Sequence, residues 1–168
     1  MSISRVATAA VSEAVYIDRM TEHDLLEVVE IEERSGLSRW GWAAYYSELQ
    51  TINRELMLVA RVARPLEQAC TAAIAGYIVA RLGAGELHIN NVAVRDEYRK
   101  QGIGSSLLRR ILAAGKSCGA TDGLLEVRAG NRAAQGLYER CGLRIIGRRR
   151  NYYSEPVEDA LIMRITLG

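Results

Sequence analysis

The chain of 168 residues is 49% hydrophobic and 25% charged, the length of about one domain and a composition that excludes disorder as its main state. Its net charge of +2 hides an asymmetry: residues 1–84 carry 8 basic and 11 acidic side chains, residues 85–168 carry 14 and 9. One reading is simply two solvated surfaces; the other is a polyanion held by the C-terminal half and a cationic partner nearer the N-terminal half, with nucleic acid the weaker candidate for that polyanion because the overall balance is nearly neutral and no binding motif is present.

Residues 1–13 read as a loose arm and Ala14–Met20 as a strand. Thr21 reads as a helix N-cap, and Leu25, Val28, Val29 and Ile31–Glu32 give an amphipathic helix ending near Gly36. A second helix begins at Ser38–Trp42, carries Tyr45-Tyr46 and runs to Gln50; Glu55–Arg64 and Thr71–Leu82 are strands around a loop containing Pro65. Gly83-Ala84-Gly85 is a turn, followed by a strand over Glu86–Val94, a polar link over Arg95–Gln101 and a helix over Gly102–Gly119 with Ile103, Leu107, Leu108 and Ile111 on one face. A strand over Gly123–Arg128, a helix over Asn131–Cys141 and strands over Leu143–Tyr152 and Asp159–Thr166 complete the order β-α-α-β-β-β-α-β-α-β-β.

That order predicts an α/β (α+β) fold with a mixed, mostly antiparallel sheet flanked by four helices. The helix between Glu86–Val94 and Gly123–Arg128 makes those strands a parallel crossover pair. Ligands of such sheets sit at the carboxyl ends of the strands beside the crossover, here Val92–Val94 and Glu126–Arg128. No run reaches the ~18–20 apolar residues of a membrane span, and Val6–Val11, broken by Thr8, is too short for a secretory signal. Cys70, Cys118 and Cys141 form no close pair, and with only His23 and His88 they make no zinc cage. The expectation is a cytoplasmic, metal-free, reduced protein that meets no membrane.

Arg99-Lys100-Gln101-Gly102-Ile103-Gly104-Ser105 places two glycines at a helix start after two basic residues. Free first-turn N–H groups and the helix dipole suit a phosphate there. The string is neither a P-loop nor a dinucleotide fingerprint, since position 107 is leucine; a tight loop is the bland alternative. In Leu124–Asn131, Glu126 shares a strand face with Leu124 and Arg128, while Leu125 and Val127 point the other way. A carboxylate there is either salt-bridged, to Arg128 or a neighbouring strand, or a general base. Asn131 is a helix N-cap whose amide could also reach a ligand, Tyr138 is core or a proton donor, and His88 is either a rival base or, as a single strand histidine usually is, structural or superficial.

The string Asn91-Val92-Ala93-Val94-x4-Arg99-x-x-Gly102-Ile103-Gly104-x-x-Leu107-Leu108 resembles the acetyl-coenzyme-A site of the GCN5-related N-acetyltransferase (GNAT) family. Leu125-Glu126-Val127-Arg128, Asn131-x5-Leu137-Tyr138-x3-Gly142, Arg149-Arg150-Asn151-Tyr152-Tyr153 and Glu158-Asp159-Ala160 resemble its RimI-type members, which acetylate ribosomal-protein alanine termini. The resemblance runs from about Tyr16 to Arg164. It implies acetyl-CoA as cosubstrate and a splayed parallel pair, with Val92, Ala93 and Val94 along the pantetheine. Arg99, Lys100, Gln101, Gly102, Ile103, Gly104 and Ser105 would hold the pyrophosphate, and Asn131 would contact the pantetheine or acetyl end. It further implies Glu126 as base, Tyr138 beside the thioester sulfur as acid, and a peptide groove shaped by Trp40, Tyr45-Tyr46, Tyr152 and Tyr153. Two positions depart from the family: Arg39 stands where proline often precedes the tryptophan, and Gly130 where serine usually precedes the asparagine.

The implied function is transfer of acetyl to the α-amine of an N-terminal alanine of a small-subunit ribosomal protein, presented as a basic peptide to a monomer or weak dimer. Glu27, Glu30 and Glu33 would help attract that peptide. The alternatives are acetylation of a lysine side chain or small amine, and a non-catalytic CoA-binding module.

Overall fold

A computed structural model describes residues 14–63 and 73–168. Expectations for the arm at 1–13, the loop around Pro65 and Cys70 lie outside the described residues. The elements are β1 (Ala14–Arg19), α1 (Leu25–Ser35), α2 (Gly41–Leu49), β2 (Met57–Ala63), β3 (Ala73–Gly83), β4 (Glu86–Val94), α3 (Ile103–Ser117), β5 (Asp122–Arg128), α4 (Arg132–Arg140), β6 (Arg144–Ser154) and β7 (Val157–Thr166). Short 3-10 turns precede α1 and β2 and follow β4.

One seven-stranded sheet has the order β1-β2-β3-β4-β5-β7-β6, antiparallel except for β4 beside β5. The hydrophobic alternation of β2, β3 and β4 feeds two cores on opposite faces, and β5 and β7 add to the larger one. The larger packs Ile103, Leu107, Leu108 and Ile111 of α3 and Tyr138 of α4 onto Leu58, Ile78, Leu87, Leu125 and Met163. The smaller packs Leu25, Val28 and Ile31 of α1 and Tyr45 of α2 onto Val59, Tyr77 and Ala93. α3 forms because its apolar residues recur at helical spacing, and Gly115 keeps it close to the sheet: a Cβ there would lie 2.6 Å from Leu87 Cδ2. Truncating fully buried Leu107 to alanine removes about 2–5 kcal/mol.

The β4–β5 pairing covers only Glu86–Ile89 against Asp122–Leu125, after which the strands part. Parting begins at a bulge. Val79 faces Asn91 and Ala80 faces Ile89, so Asn90 is the extra residue. The bulge reverses the facing of the residues beyond it: Leu87, Ile89, Val92 and Val94 lie on the α3 side, Ala93 on the α1–α2 side. β5 continues alone against β7 as far as Arg128 opposite Ala160, so a wedge opens between residues 90–94 and 126–128.

Candidate active site

The wedge exposes backbone groups that an ordinary sheet would pair. Arg95 N–H donates to Ala75 O on β3 at 2.8 Å. Backbone groups alternate sides along a strand, so those of Val92 and Val94 point into the wedge, while those of Asn91 and Ala93 face β3. Arg99 Nε already donates to Val94 O (3.0 Å), and its guanidinium pairs with Asp96 (2.8 Å) at the wedge mouth.

Ala93 is the first correction. Its side chain is 7% exposed in the smaller core, and a Cβ on Gly76 would lie 2.6 Å from its carbonyl. It cannot line the wedge.

Beside the wedge, the chain enters α3 through two left-handed residues, Lys100 (φ 59°) and Gly102 (φ 81°). The first intrahelical bond is Ser106 N–H to Gly102 O (3.0 Å), so the N–H groups of Ile103, Gly104 and Ser105 have no acceptor inside the helix, and no side chain caps it. With the helix dipole and exposed Lys100 and Arg99, this end is suited to a phosphate. Gly104 also has a packing reason, since a Cβ would meet Leu137 Cδ1 of α4 at 2.7 Å. Gln101 is exposed and bonds Glu97 O (3.3 Å), and the Ile103 side chain belongs to the core, leaving its N–H as its only contribution.

Across the wedge, Leu125 and Val127 are buried while Glu126 faces the other way, 28% exposed. Its Oε1 accepts from Arg149 Nε at 3.0 Å, and the Glu126 carboxylate beside Tyr152 raises that phenol above its usual range. The salt-bridge alternative holds in part, with an arginine two strands away. Arg128 instead pairs with Glu158 (3.2 Å) and lies 4.1 Å over the Tyr153 ring. Burial, then the Glu126 charge, raises the Tyr153 phenol.

Gly130 N–H donates to Glu158, and a Cβ at Gly130 would stand 2.7 Å from that carboxylate oxygen, so a side chain there would push the Glu158 carboxylate aside. Asn131 caps α4 through Oδ1, accepting from Ala134 N–H at 3.1 Å, and its amide nitrogen has no partner among the described residues.

Tyr138 packs its ring in the larger core at 7% exposure. Burial, with Tyr153 second, raises its phenol and keeps it protonated. Its hydroxyl has no partner among the described residues, yet no fully buried side-chain oxygen or nitrogen among them is unpartnered, so the oxygen reaches the surface. Besides burial, Glu126 raises the Tyr153 phenol, and Tyr153 in turn helps to raise that of Tyr138.

On the opposite side, Trp40 packs 5.3 Å from the Tyr45 ring and 4.5 Å beneath the Arg81 guanidinium. Tyr45 is the second correction: it is 0% exposed and cannot touch a peptide, because α2 turns it onto the sheet. The exposed rings of α2 are Trp42 and Tyr46, stacked at 4.8 Å.

The acidic face of α1 is the third correction. Glu27 and Glu30 both pair with Arg95 at 3.2 Å, and Glu27 also accepts from Ile74 N–H (2.9 Å), so they tie α1 to the sheet and leave exposed Glu33 as the remaining acid of the three. His88 is exposed and pairs with Glu86 (3.2 Å).

Glu32 falls within the amphipathic helix expected from the sequence but has no role assigned to it there, and the structure buries it to 1% exposure on the inner side of α1. The signal was there: Glu32 follows Leu25 and Val28 at seven and four residues, on the helix face those apolar residues define.

Two parallel strands that part into a wedge, beside an uncapped helix start suited to a phosphate, fit an extended ligand that carries phosphate groups. The acetyltransferase (GNAT) family model matches residues 25–143, and the chain belongs to that family of N-acetyltransferases. It is 35% identical to a Bacillus subtilis protein carried as a candidate ribosomal protein bS18-alanine N-acetyltransferase, over 90% of this chain and 95% of that one. It is 32% identical to the N-alpha-acetyltransferase RimI of Mycobacterium tuberculosis, over 94% and 96%. Among solved structures, the ribosomal-protein-S18-alanine N-acetyltransferase of Escherichia coli superposes with a TM-score of 0.75 at 28% identity, covering 92% of this chain and 95% of that one.

Proposed function

We infer that the protein transfers acetyl from acetyl-CoA to the α-amine of an N-terminal alanine, and that its substrate is a small-subunit ribosomal protein. The observation that carries the reading is the wedge itself, with the free N–H groups of Ile103, Gly104 and Ser105 beside it and Glu126 on the strand across it; the Tyr138 hydroxyl is assigned on this reading to the same end as Glu126. The names of the B. subtilis and E. coli relatives supply the substrate class.

When bound, acetyl-CoA supplies an activated thioester. Ile103, Gly104 and Ser105 N–H groups hold the pyrophosphate, with Arg99 and Lys100 adding charge. Val92 and Val94 pair with the pantetheine amides as a neighbouring strand would, and the Asn131 amide reaches the same arm. Alignment of both reactants lowers the barrier by up to about 7–11 kcal/mol. The Val92 N–H meets the charge developing on the carbonyl oxygen, a class of donor worth about 3–4 kcal/mol.

Glu126, through a water, takes the amine's proton. An α-amine with pKa about 7.7–8.0 costs about 1 kcal/mol to deprotonate at pH 7, whereas lysine near 10.4 costs about 5. A single carboxylate with one oxygen already on Arg149 is adequate for the first, so the chemistry fits an N-terminal substrate better than lysine. Tyr138 is the proton donor to the departing sulfur; burial keeps it protonated for that role and also makes the proton costlier to give up. Trp40 on one side and Tyr152 and Tyr153 on the other flank the peptide.

The test is mass spectrometry after incubation with acetyl-CoA and peptides differing in their first residue and internal lysines. Acetylation confined to the first residue, strongest for alanine, is the expected result. Acetylation on lysine, or binding without transfer, would overturn it.

A further inference from the structure

Beneath Trp40 lies a buried polar cluster that none of these steps uses. Glu32 Oε1 accepts from Trp40 N–H (2.8 Å), the Tyr45 hydroxyl (2.7 Å) and the Asn91 amide (3.3 Å), and Oε2 accepts from Gly41 N–H (3.0 Å). Asn91 also donates to the Tyr45 oxygen at 2.7 Å. The Tyr45 and Tyr77 hydroxyls are 2.9 Å apart. Tyr45 has one proton and gives it to Glu32, so Tyr77 donates to Tyr45. Glu32, Tyr45, Tyr77 and Asn91 are each no more than 4% exposed, and no cation is bonded to the carboxylate among the described residues. Neutral donors alone keep it in the interior.

The cluster joins two places that the reaction needs in register. Trp40 and Gly41 form the corner between α1 and α2. Asn91 sits at the bulge where β4 leaves β5, immediately before Val92, whose N–H points into the wedge. One carboxylate oxygen bonds both the corner and Asn91, so the corner is fixed directly against the parting strand. Apolar packing would hold α2 on the sheet without fixing its direction; hydrogen bonds are directional.

We propose that Glu32, Tyr45, Tyr77 and Asn91 form a positioning network that locks the Trp40–Gly41 corner to the Asn91–Val92 stretch, setting the incoming amine against the thioester carbonyl. The proposal rests on the acetyl-transfer reading of the wedge. An error of about 1 Å in such an alignment can lower a rate by about 100-fold.

Glu32→Gln keeps the shape but turns one acceptor into a donor, so one of the four donors must swing away. The expected result is a kcat reduced at least tenfold and a peptide KM raised about threefold, with the Kd for CoA within about twofold of the parent. Amide hydrogen exchange should accelerate together at residues 37–42 and 90–93. Asp24→Asn is the control for a merely structural role. Asp24 is also buried (6% exposed) but bonds Arg61 at 2.6 Å, away from the wedge, and its loss should lower Tm without moving kcat or KM.

If Glu32→Gln does not fold, Tyr45→Phe breaks the same link and is read in the same way. Kinetic constants within twofold of the parent, or an equal loss in Asp24→Asn, would overturn the proposal. Should the parent acetylate lysine or a small amine, the N-terminal reading fails and the network is judged on that acceptor. Should it transfer to nothing, the exchange data decide: joint opening of both segments supports the network, and opening of one alone refutes it.

Discussion

The two sides of the wedge are built from opposite kinds of polarity. On the α1–α2 side, Glu32 is 1% exposed and held by uncharged donors, and Trp40 is clamped between Tyr45 and Arg81. On the β6–β7 side, the links are ion pairs that water reaches: Arg149–Glu126 at 56% and 28% exposure, Arg148–Asp159 at 59% and 21%. Dry hydrogen bonds fix direction and ignore salt, whereas exposed ion pairs are worth about 0–1 kcal/mol each and are screened. On those grounds the first wall should stay fixed and the second should adjust when a peptide binds.

The largest effects come from groups that touch the reaction. Glu126→Gln and Tyr138→Phe should each lower kcat at least tenfold while CoA binding is unchanged, within the range of about 100 to 10,000-fold for positioned acids and bases. Steady-state kinetics with a separate CoA titration checks this, and near-parent turnover in both variants removes them from the chemistry.

Next come the walls themselves. Trp40→Ala should raise peptide KM about tenfold and Tyr152→Ala about threefold, with CoA Kd unmoved in both; a reversed order would make the hairpin the rigid side.

The pH response should separate the walls as well. Burial raises the Tyr45 and Tyr77 phenols above their ordinary value near 10. A raised pKa contributes stability that is complete below about pH 10 and lost as pH climbs toward the folded values. Asn151 N–H and Arg148 lower Asp159, and Arg164 lowers Asp122, so their contributions hold above about pH 4 and vanish as pH falls below it. Melting curves should therefore show Tm falling above pH 10, less steeply in Tyr77→Phe. A Tm flat from pH 9 to 11 would contradict the buried wall's assignment.

The smallest effect is ionic. Raising NaCl to about 0.5 M should increase peptide KM about twofold through the hairpin side, and a salt-independent KM would mean that the ion pairs do not shape the groove.

Much of this was legible in the chain. Helical spacing gave α3 and its buried face, strand alternation separated Glu126 from Leu125 and Val127, and Asn131 caps α4 as its type and place suggested. What escaped depends on pairing. Ala93 looked equivalent to its neighbours because the bulge at Asn90 is visible only in the register with β3. Tyr45 and Tyr46 are adjacent, and α2 carries aromatic residues on both faces, so periodicity could not say which is buried. Arg149 reaches Glu126 across β7, and Arg95 reaches Glu27 and Glu30 from another element, partners that sequence distance conceals.

The decisive observation would be a crystal structure of the protein with CoA joined covalently to an alanine-initiated peptide. The pyrophosphate should accept from the N–H groups at 103–105, and the peptide should leave between Trp40 and Tyr152 with its first nitrogen within one water of Glu126. Phosphates bound elsewhere, or a peptide chain leaving over the α3–α4 face, would contradict the account.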